Sequence, residues 1–355
     1  MKNRCCLWMA LRVVAMLTAV LNLELRAGEA SQGSYKVLAP IRHGNLVIFP
    51  VISSHVHDTS QFLSLEEGLR SGEVVVSEMG GGGTLIRPRH SPVGQPPLRF
   101  SDGAQVNRLV LVNNSKRPLL LLAGEIVTGG KQDRVIGKDR LVPPESDPID
   151  LSVFCVEPGR WVARSEKFQA PATMVQPSVR AKAMAAKNQS QVWEEVGKSR
   201  AAIAGSVTSS SYAALAEDRV AQQKIDSVAA PLEREYQSVI GQLREKNAVG
   251  VVVAVRGELI WADVFASTKL LEKYWPKLVR SYAAESVMDP SSVASVDLER
   301  AQAFLDHVQG KREVVENEPG LYRHTEVAGD GFRVFALTSL LPGTGFDLHV
   351  AKMAD

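Results

Sequence analysis

The sequence predicts an α+β protein with a β-rich amino-terminal half, a helical middle and a mixed α/β carboxyl-terminal part. Three observations carry this. Residues 35–161 are mainly short apolar runs broken by turn residues. Helical spacing of apolar residues dominates from residue 191. The helices cluster between groups of strands and do not alternate with them, which argues against a doubly wound sheet.

The amino terminus reads as a secretory leader covering 1–30. Lys2, Arg4 and Arg12 supply positive charge, Val13 to Leu23 is apolar, and Ala27 or Ala30 offers a cleavage point. That apolar run falls short of the roughly 20 residues a bilayer demands. No later segment is long and apolar enough for a membrane helix. The expectation is an exported chain, periplasmic or extracellular, starting near Ser31 and touching no membrane beyond export. Without the leader, 37 of the 41 basic and 37 of the 39 acidic residues remain, so the mature part carries no net charge. Nucleic acid is not an expected partner of such a balance. Of three cysteines only Cys155 lies beyond the leader, which excludes an intramolecular disulfide.

In chain order, Leu46 to Ile52 reads as a strand ended by Ser53 and Ser54. Ser64-Leu65-Glu66-Glu67 has the form of a capping box for a helix stopped at Gly72. Glu73 to Ser77 and Thr84 to Arg87 flank Gly80 to Gly83 in a hairpin-like pattern. Leu109 to Val112 and Leu119 to Ala123 are apolar strands around the turn Asn113-Asn114-Ser115-Lys116, and Ile149 to Val156 is a further strand. Residues 162–190, rich in Pro, Ala and polar residues, read as a linker-like join. The region 191–355 that follows is either its own domain or one domain with 31–161.

Leu232, Tyr236, Val239, Ile240 and Leu243 mark one face of an amphipathic helix, separated from the preceding helix by the polar break Thr208 to Tyr212. Period-two patterning then gives Val249 to Val255 and Leu259 to Phe265 around Arg256-Gly257-Glu258. Ser267 caps a helix whose buried face is Leu270, Leu271, Tyr274, Leu278, Val279 and Tyr282. Another helix runs from about Val296 to Val308, with Gly310 as its stop. Short strands from Arg312 to Lys352 finish the chain. Whether the two strand groups share one sheet is open at this level.

The densest set of unusual residues lies between Gly124 and Trp161. Glu125 follows an apolar strand, where an unpaired charge is costly, and Lys131, Arg134 and Arg160 are its nearest cations in sequence. Strand alternation puts Leu151, Val153, Cys155 and Glu157 on one face. Glu125 and Glu157 read either as an acid/base pair or as two structural carboxylates, one paired with Lys131 or Arg134 and the other with Arg160. Lys131, Gln132, Arg134 and Arg160 are candidates for holding a phosphate or carboxylate, or else for ion pairs that lock the loops. Trp161 stacks on a ligand or packs on the core. Cys155 is a possible thiol nucleophile, though its strand neighbours Val153, Phe154 and Val156 describe a buried cysteine. His55 and His57 with Asp58, and His43 beyond the preceding strand, fall short of a metal site and read as a solvated turn. No metal and no cofactor is expected. Gly-x-Ser-x-Gly and His-Glu-x-x-His are absent, as is a P-loop after Gly83.

The elements Gly124-Glu125, Gly129-Gly130-Lys131-Gln132-Asp133-Arg134 and Cys155-Val156-Glu157-Pro158-Gly159-Arg160-Trp161 resemble the signature block of the ARG and rhodanese-phosphatase-associated protein domain family. This is a bacterial family of unsettled function. The resemblance extends through the helix ending near Asn247, the hairpin Gly250 to Phe265 and Leu348-His349, and departs at Val350-Ala351-Lys352. Its name implies genomic company with proteins acting on ADP-ribose or phosphorylated groups. Three functions follow as expectations. The first is an exported module binding a small anionic or sugar/nucleotide-like ligand at 125–161. The others are a hydrolase or transferase on a phosphorylated or ADP-ribose-like substrate using Glu125 and Glu157, and an envelope protein with a protein partner.

Overall fold

A computed structural model describes residues 35–78, 108–160, 162–171, 173–205, 209–290 and 295–355. The leader, the Gly80–Gly83 loop with its flanking Thr84–Arg87 strand, and Trp161 lie outside the described residues, as do the side chains of 236–245.

In chain order the strands are β1 (Tyr35–Val37), β2 (Ile41–His43), β3 (Leu46–Ser53), β4 (Leu63–Ser64), β5 (Val74–Glu78), β6 (Arg108–Asn113), β7 (Leu119–Leu121), β8 (Ile126–Val127), β9 (Arg134–Ile136), β10 (Arg140–Val142), β11 (Ile149–Cys155), β12 (Ala248–Val255), β13 (Glu258–Phe265), β14 (Lys311–Glu318), β15 (Tyr322–Gly329), β16 (Phe332–Ser339) and β17 (Asp347–Ala354). The helices are α1 (Leu65–Ser71), α2 (Pro177–Ala181), α3 (Gln189–Ile203), α4 (Arg219–Glu245), α5 (Thr268–Val287) and α6 (Leu298–Asp306), with a π-helical turn at Lys182–Ala186 and a 3-10 turn at Ala213–Ala216. The class is α+β, as the patterning predicts.

The first strand group divides between sheets. β1 and β3 join the carboxyl-terminal strands in a nine-stranded sheet ordered β1-β3-β12-β13-β17-β16-β15-β14, with β2 on β3. β5-β6-β11-β9-β8 form a second sheet and β10-β7-β4 a third. Thus β6 and β7, neighbours around the Asn113–Lys116 turn, pair with different partners. The four terminal strands span eight residues each, longer than their apolar runs indicate.

Every residue of β12 is buried, because the large sheet is covered on both faces there. Val251, Val253, Trp261, Phe265 and Phe335 share a core with α5, whose Leu270, Leu271, Tyr274, Leu278, Val279 and Tyr282 are all buried. Val252, Ala254, Ala262 and Val264 share the opposite-face core with Ala301 of α6. A separate core, including Leu63, Val76, Leu111, Leu121, Ile136 and Val153, joins the two smaller sheets.

The caps of α1 and α5 form where the sequence places them, whereas α6 ends at Asp306, short of the Gly310 stop. Ser64 and Glu67 close a reciprocal box at α1, Gly72 ends that helix in the left-handed region, and Ser267 accepts the Leu270 N–H at the start of α5. In the 162–190 segment residues 162–167 are exposed, and later residues are packed. Met174, Val175, Val179, Ala183 and Met184 belong to the main core, and Arg180 is fully buried. Most of these residues are buried by a short helix and a π-helical turn, which leave no repeating apolar pattern in the sequence.

Candidate functional site

The signature block folds into two loops that meet. The first, between β8 and β9, turns at Gly129 and Gly130. The second follows β11 and carries Glu157 and Arg160. Arg160 Nη2 lies 2.6 Å from Glu157 Oε2 and 3.3 Å from Asp133 Oδ1, and Nη1 donates to the carbonyls of Gly130 and Val162, each at 2.8 Å. The Asp133 N–H donates to Glu157 Oε2 at 3.1 Å, and the Ser211 hydroxyl donates to Asp133 Oδ2 at 2.6 Å. Gln132 Nε2 donates to the Glu157 carbonyl. Glu78, at the end of β5, accepts from the Lys131 N–H and stands 3.8 Å from Arg134 Nη2. A Cβ at Gly130 would lie 2.5 Å from Glu78 Oε1 and 2.4 Å from the Phe168 ring at a φ of +50°, so this approach is open only to glycine.

Four buried atoms of this cluster have no hydrogen-bond partner among the described residues: Gln132 Oε1, Glu78 Oε2, Arg134 Nε and Arg160 Nε. Two are acceptors and two are donors. Burial raises the Asp133 carboxyl above its ordinary range, and Glu157 beside it adds to the rise, while Ser211 and Arg160 oppose it. Burial likewise lowers the Arg134 guanidinium. At the rim Arg160 is 15 % and Arg164 56 % exposed; Arg164 reaches to 3.6 Å from Glu157 Oε1. Lys131 is half-buried.

Cys155 is buried below this cluster, with its backbone clamped on both sides by the Gln189 amide. Its sulfur accepts the Glu157 N–H at 3.3 Å, and burial pushes the thiol up. A nucleophilic cysteine needs the opposite shift.

Glu125 belongs to a different group. Its partner is none of Lys131, Arg134 and Arg160 but Lys277 on α5, with Nζ at 3.0 Å from Glu125 Oε1 and 3.1 Å from Glu66 Oε2. The Leu122 N–H donates to Glu125 Oε2 at 2.9 Å. Burial opposes the Lys277 charge, but Glu125 and Glu66 hold its pKa above the ordinary lysine value. Glu125 and Glu157 therefore have no partner in common. Glu157 pairs with Arg160, as one of the two sequence readings has it.

A third group lies under Gly124. Asp263 on β13 takes both Arg180 amino groups, at 2.8 and 3.0 Å, and the Tyr282 hydroxyl. His349 on β17 bridges Asp263 through Nε2 at 3.0 Å and Asp139 through Nδ1 at 2.6 Å. Asp139 Oδ1 accepts the Ala123 N–H at 2.7 Å. Arg180, Asp263, Asp139 and His349 are fully buried. Burial would neutralise His349, but the two carboxylates raise its pKa to about 9. Arg180 and His349 outweigh the burial that would raise Asp263 and hold its carboxyl well below the ordinary range. Two cations and two anions thus balance. A Cβ on Gly124 would lie 2.7 to 2.9 Å from Arg180 Cγ, Cδ and Nε, at a φ of +94°. The Gly-Glu pair therefore faces two ion groups: the glycine admits Arg180 and the glutamate meets Lys277.

The structure thus brings Gln132, Arg134, Glu157, Arg160 and the Lys131 backbone together, with Cys155 beneath them, and sets Glu125 apart. Sequence reasoning missed Glu78, Asp133, Asp139, Arg180, Asp263 and Lys277 as partners. Asp263 was findable as an acid inside an apolar strand, and Lys277 as a cation on the buried face of α5. Asp139 and Arg180 sit in segments without periodicity. His55 bonds Ser54, and His57 stacks on Phe346 with centroids 3.9 Å apart. Among the described residues no three His, Cys, Asp or Glu side chains are placed to hold a metal ion. No helix among them is long and apolar enough to cross a membrane.

The profile of the ARG and Rhodanese-Phosphatase-superfamily-associated Protein domain matches residues 34–351, which include all three groups. No curated protein and no solved structure matches the chain.

Proposed function

We propose that this chain, which belongs to the ARG and Rhodanese-Phosphatase-superfamily-associated Protein domain family, binds a small anionic, sugar- or nucleotide-like ligand at its signature loops. One observation carries the reading. Glu78, Gln132, Asp133, Arg134, Glu157 and Arg160 arrive from three separate segments at one spot and leave two donors and two acceptors unpaired among the described residues. Such atoms cost free energy that a purely structural cluster has reason to avoid. Mixed donors and acceptors suit a hydroxyl-bearing ligand. Arg160 and Arg164 at the rim, with Lys131 beside them, suit its phosphate or carboxylate. Trp161, next to Arg160 in the chain, is the aromatic residue that the sequence offers for its base or sugar. The leader-like amino terminus supports a periplasmic or extracellular setting.

Thermal unfolding with ADP-ribose, AMP and glucose 6-phosphate tests this. Lys131→Ala and Arg164→Ala touch partly exposed groups and are expected to leave the unliganded Tm nearly unchanged, within the roughly 0.5 kcal/mol usual for surface positions. The same variants should lose the ligand-induced rise seen in the parent. No rise in the parent, or an undiminished rise in both variants, ends the proposal.

A second reading has one observation in its favour. Asp133 and Glu157 share Arg160, and burial raises Asp133, so a carboxyl that favours its proton stands beside a second carboxyl group. A hydrolase or transferase would then use Asp133 with Glu157 in place of Glu125. Turnover of ADP-ribose by the parent, abolished in Glu157→Gln, would favour it.

A further inference from the structure

Phe154 and Cys155 are adjacent on β11 and point to opposite faces. Cys155 faces the signature loops. Phe154 faces a cavity of about 270 Å³ between β11 and the outer strands β14, β15 and β16 of the large sheet, close in size to the smallest small-molecule pockets. Its lining includes His324, which is only 1 % exposed and whose two ring nitrogens both lack a hydrogen-bond partner among the described residues. A leucine would fill that place on an apolar sheet face without burying two unpaired polar atoms. A second feature is independent of the first. Met184 and Ala183 reach the cavity from the π-helical turn Lys182–Ala186, and such turns are rare and concentrate where a protein binds or reacts.

We propose that this cavity binds a small uncharged aromatic molecule whose ring edge offers a hydrogen-bonding group, with His324 as the residue that reads that group through one ring nitrogen. A neutral imidazole carries one donor and one acceptor on diverging sides of the ring, so a single nitrogen meets the ligand, accepting from a ligand N–H or donating to a ligand nitrogen or carbonyl. Burial, the largest influence on His324, keeps the ring in its neutral form. Phe154 and Phe335 supply aromatic walls, with the Phe335 centroid 6.4 Å from that of His324. The charge at the mouth explains why the ligand is uncharged. Lys138 is paired with Glu316, and Lys187 with Glu326 at 2.7 Å, so the four rim groups cancel. Asp139, the carboxylate that most raises His324, is itself held by His349. The proposal is independent of the signature loops, since none of their polar groups lines this cavity.

The full chain, labelled with nitrogen-15 in its histidines, is titrated with adenine and nicotinamide, with benzene and benzoate as apolar and charged controls. At least one of the first two should move the His324 ring-nitrogen resonances with a Kd below about 1 mM, and both controls should bind at least tenfold more weakly. His324→Leu should keep or raise the Tm and weaken that binding at least tenfold. Ala183→Phe, which fills the cavity while keeping the histidine, should abolish it. Unmoved His324 resonances, benzene binding as tightly as adenine, or full binding by His324→Leu would each overturn the assignment.

Discussion

Lys277 shows how a single side chain holds this structure together. Its ammonium, 4 % exposed, is the only cation described beside Glu125, so removing it strands a buried carboxylate. Breaking such a pair by deleting one partner costs about 3–5 kcal/mol, whereas replacing both partners is far milder. Lys277→Met is therefore expected to lower stability by about that amount in urea unfolding. Lys277→Met with Glu125→Gln should recover more than half of the loss, since glutamine still offers an oxygen to the Leu122 N–H. An additive double mutant would show that the pair is not coupled. Glu125 was legible as a charge in need of a partner, because an acid after five apolar residues is anomalous on its face. Which partner it takes was not legible, because Lys277 is 152 residues away and meets it only through packing of α5.

At the scale of elements, local chemistry predicts best where it closes on itself. The α1 capping box, the Ser267 cap of α5 and the β12–β13 hairpin involve residues within a few positions of one another, and all three form as the sequence indicates. Ser64→Ala removes both the acceptor for the Glu67 N–H and one side of the box. It should cost about 1 kcal/mol, read as a fall in Tm with α1 frayed in hydrogen exchange. An unchanged exchange pattern over Leu65–Ser71 would show that tertiary packing alone holds the helix. The 162–190 segment is the contrasting case. It lacks periodicity, yet it supplies Arg180 and much of the core beside α5, because a short helix and a π-turn bury residues without repeating a pattern.

Across the whole molecule the Asp139–His349–Asp263–Arg180 chain joins β17, β13, α2 and the loop between β9 and β10. It makes stability depend on pH with a definite sign. His349 has a folded pKa of about 9 against about 6.5 unfolded, so its contribution is complete below pH 6.5 and is lost as pH rises through 9. Asp139 and Asp263 are held below their ordinary values, so their contribution is present above about pH 4 and is lost as pH falls further. Stability should be greatest between about pH 4 and 6.5 and fall by on the order of 3 kcal/mol towards pH 10. His349→Gln should flatten the alkaline fall in urea titrations from pH 6 to 10. A parent whose stability is level across that range would contradict the charged state assigned to His349.

By itself the sequence determined the class, most strand and helix positions, the caps of α1 and α5 and the segment where unusual residues concentrate. Each of these depends on periodicity or on contacts a few residues long. Only the tertiary structure decided that β1 and β3 share a sheet with β12 to β17, and that Glu125 and Glu157 enter different ion groups. It alone showed that Gly124 is glycine because Arg180 lies against it, and that His324 faces a cavity. The reason is physical. Burial makes a charge seek whatever counter-charge the fold brings within about 3 Å, and that distance in space bears no relation to distance along the chain.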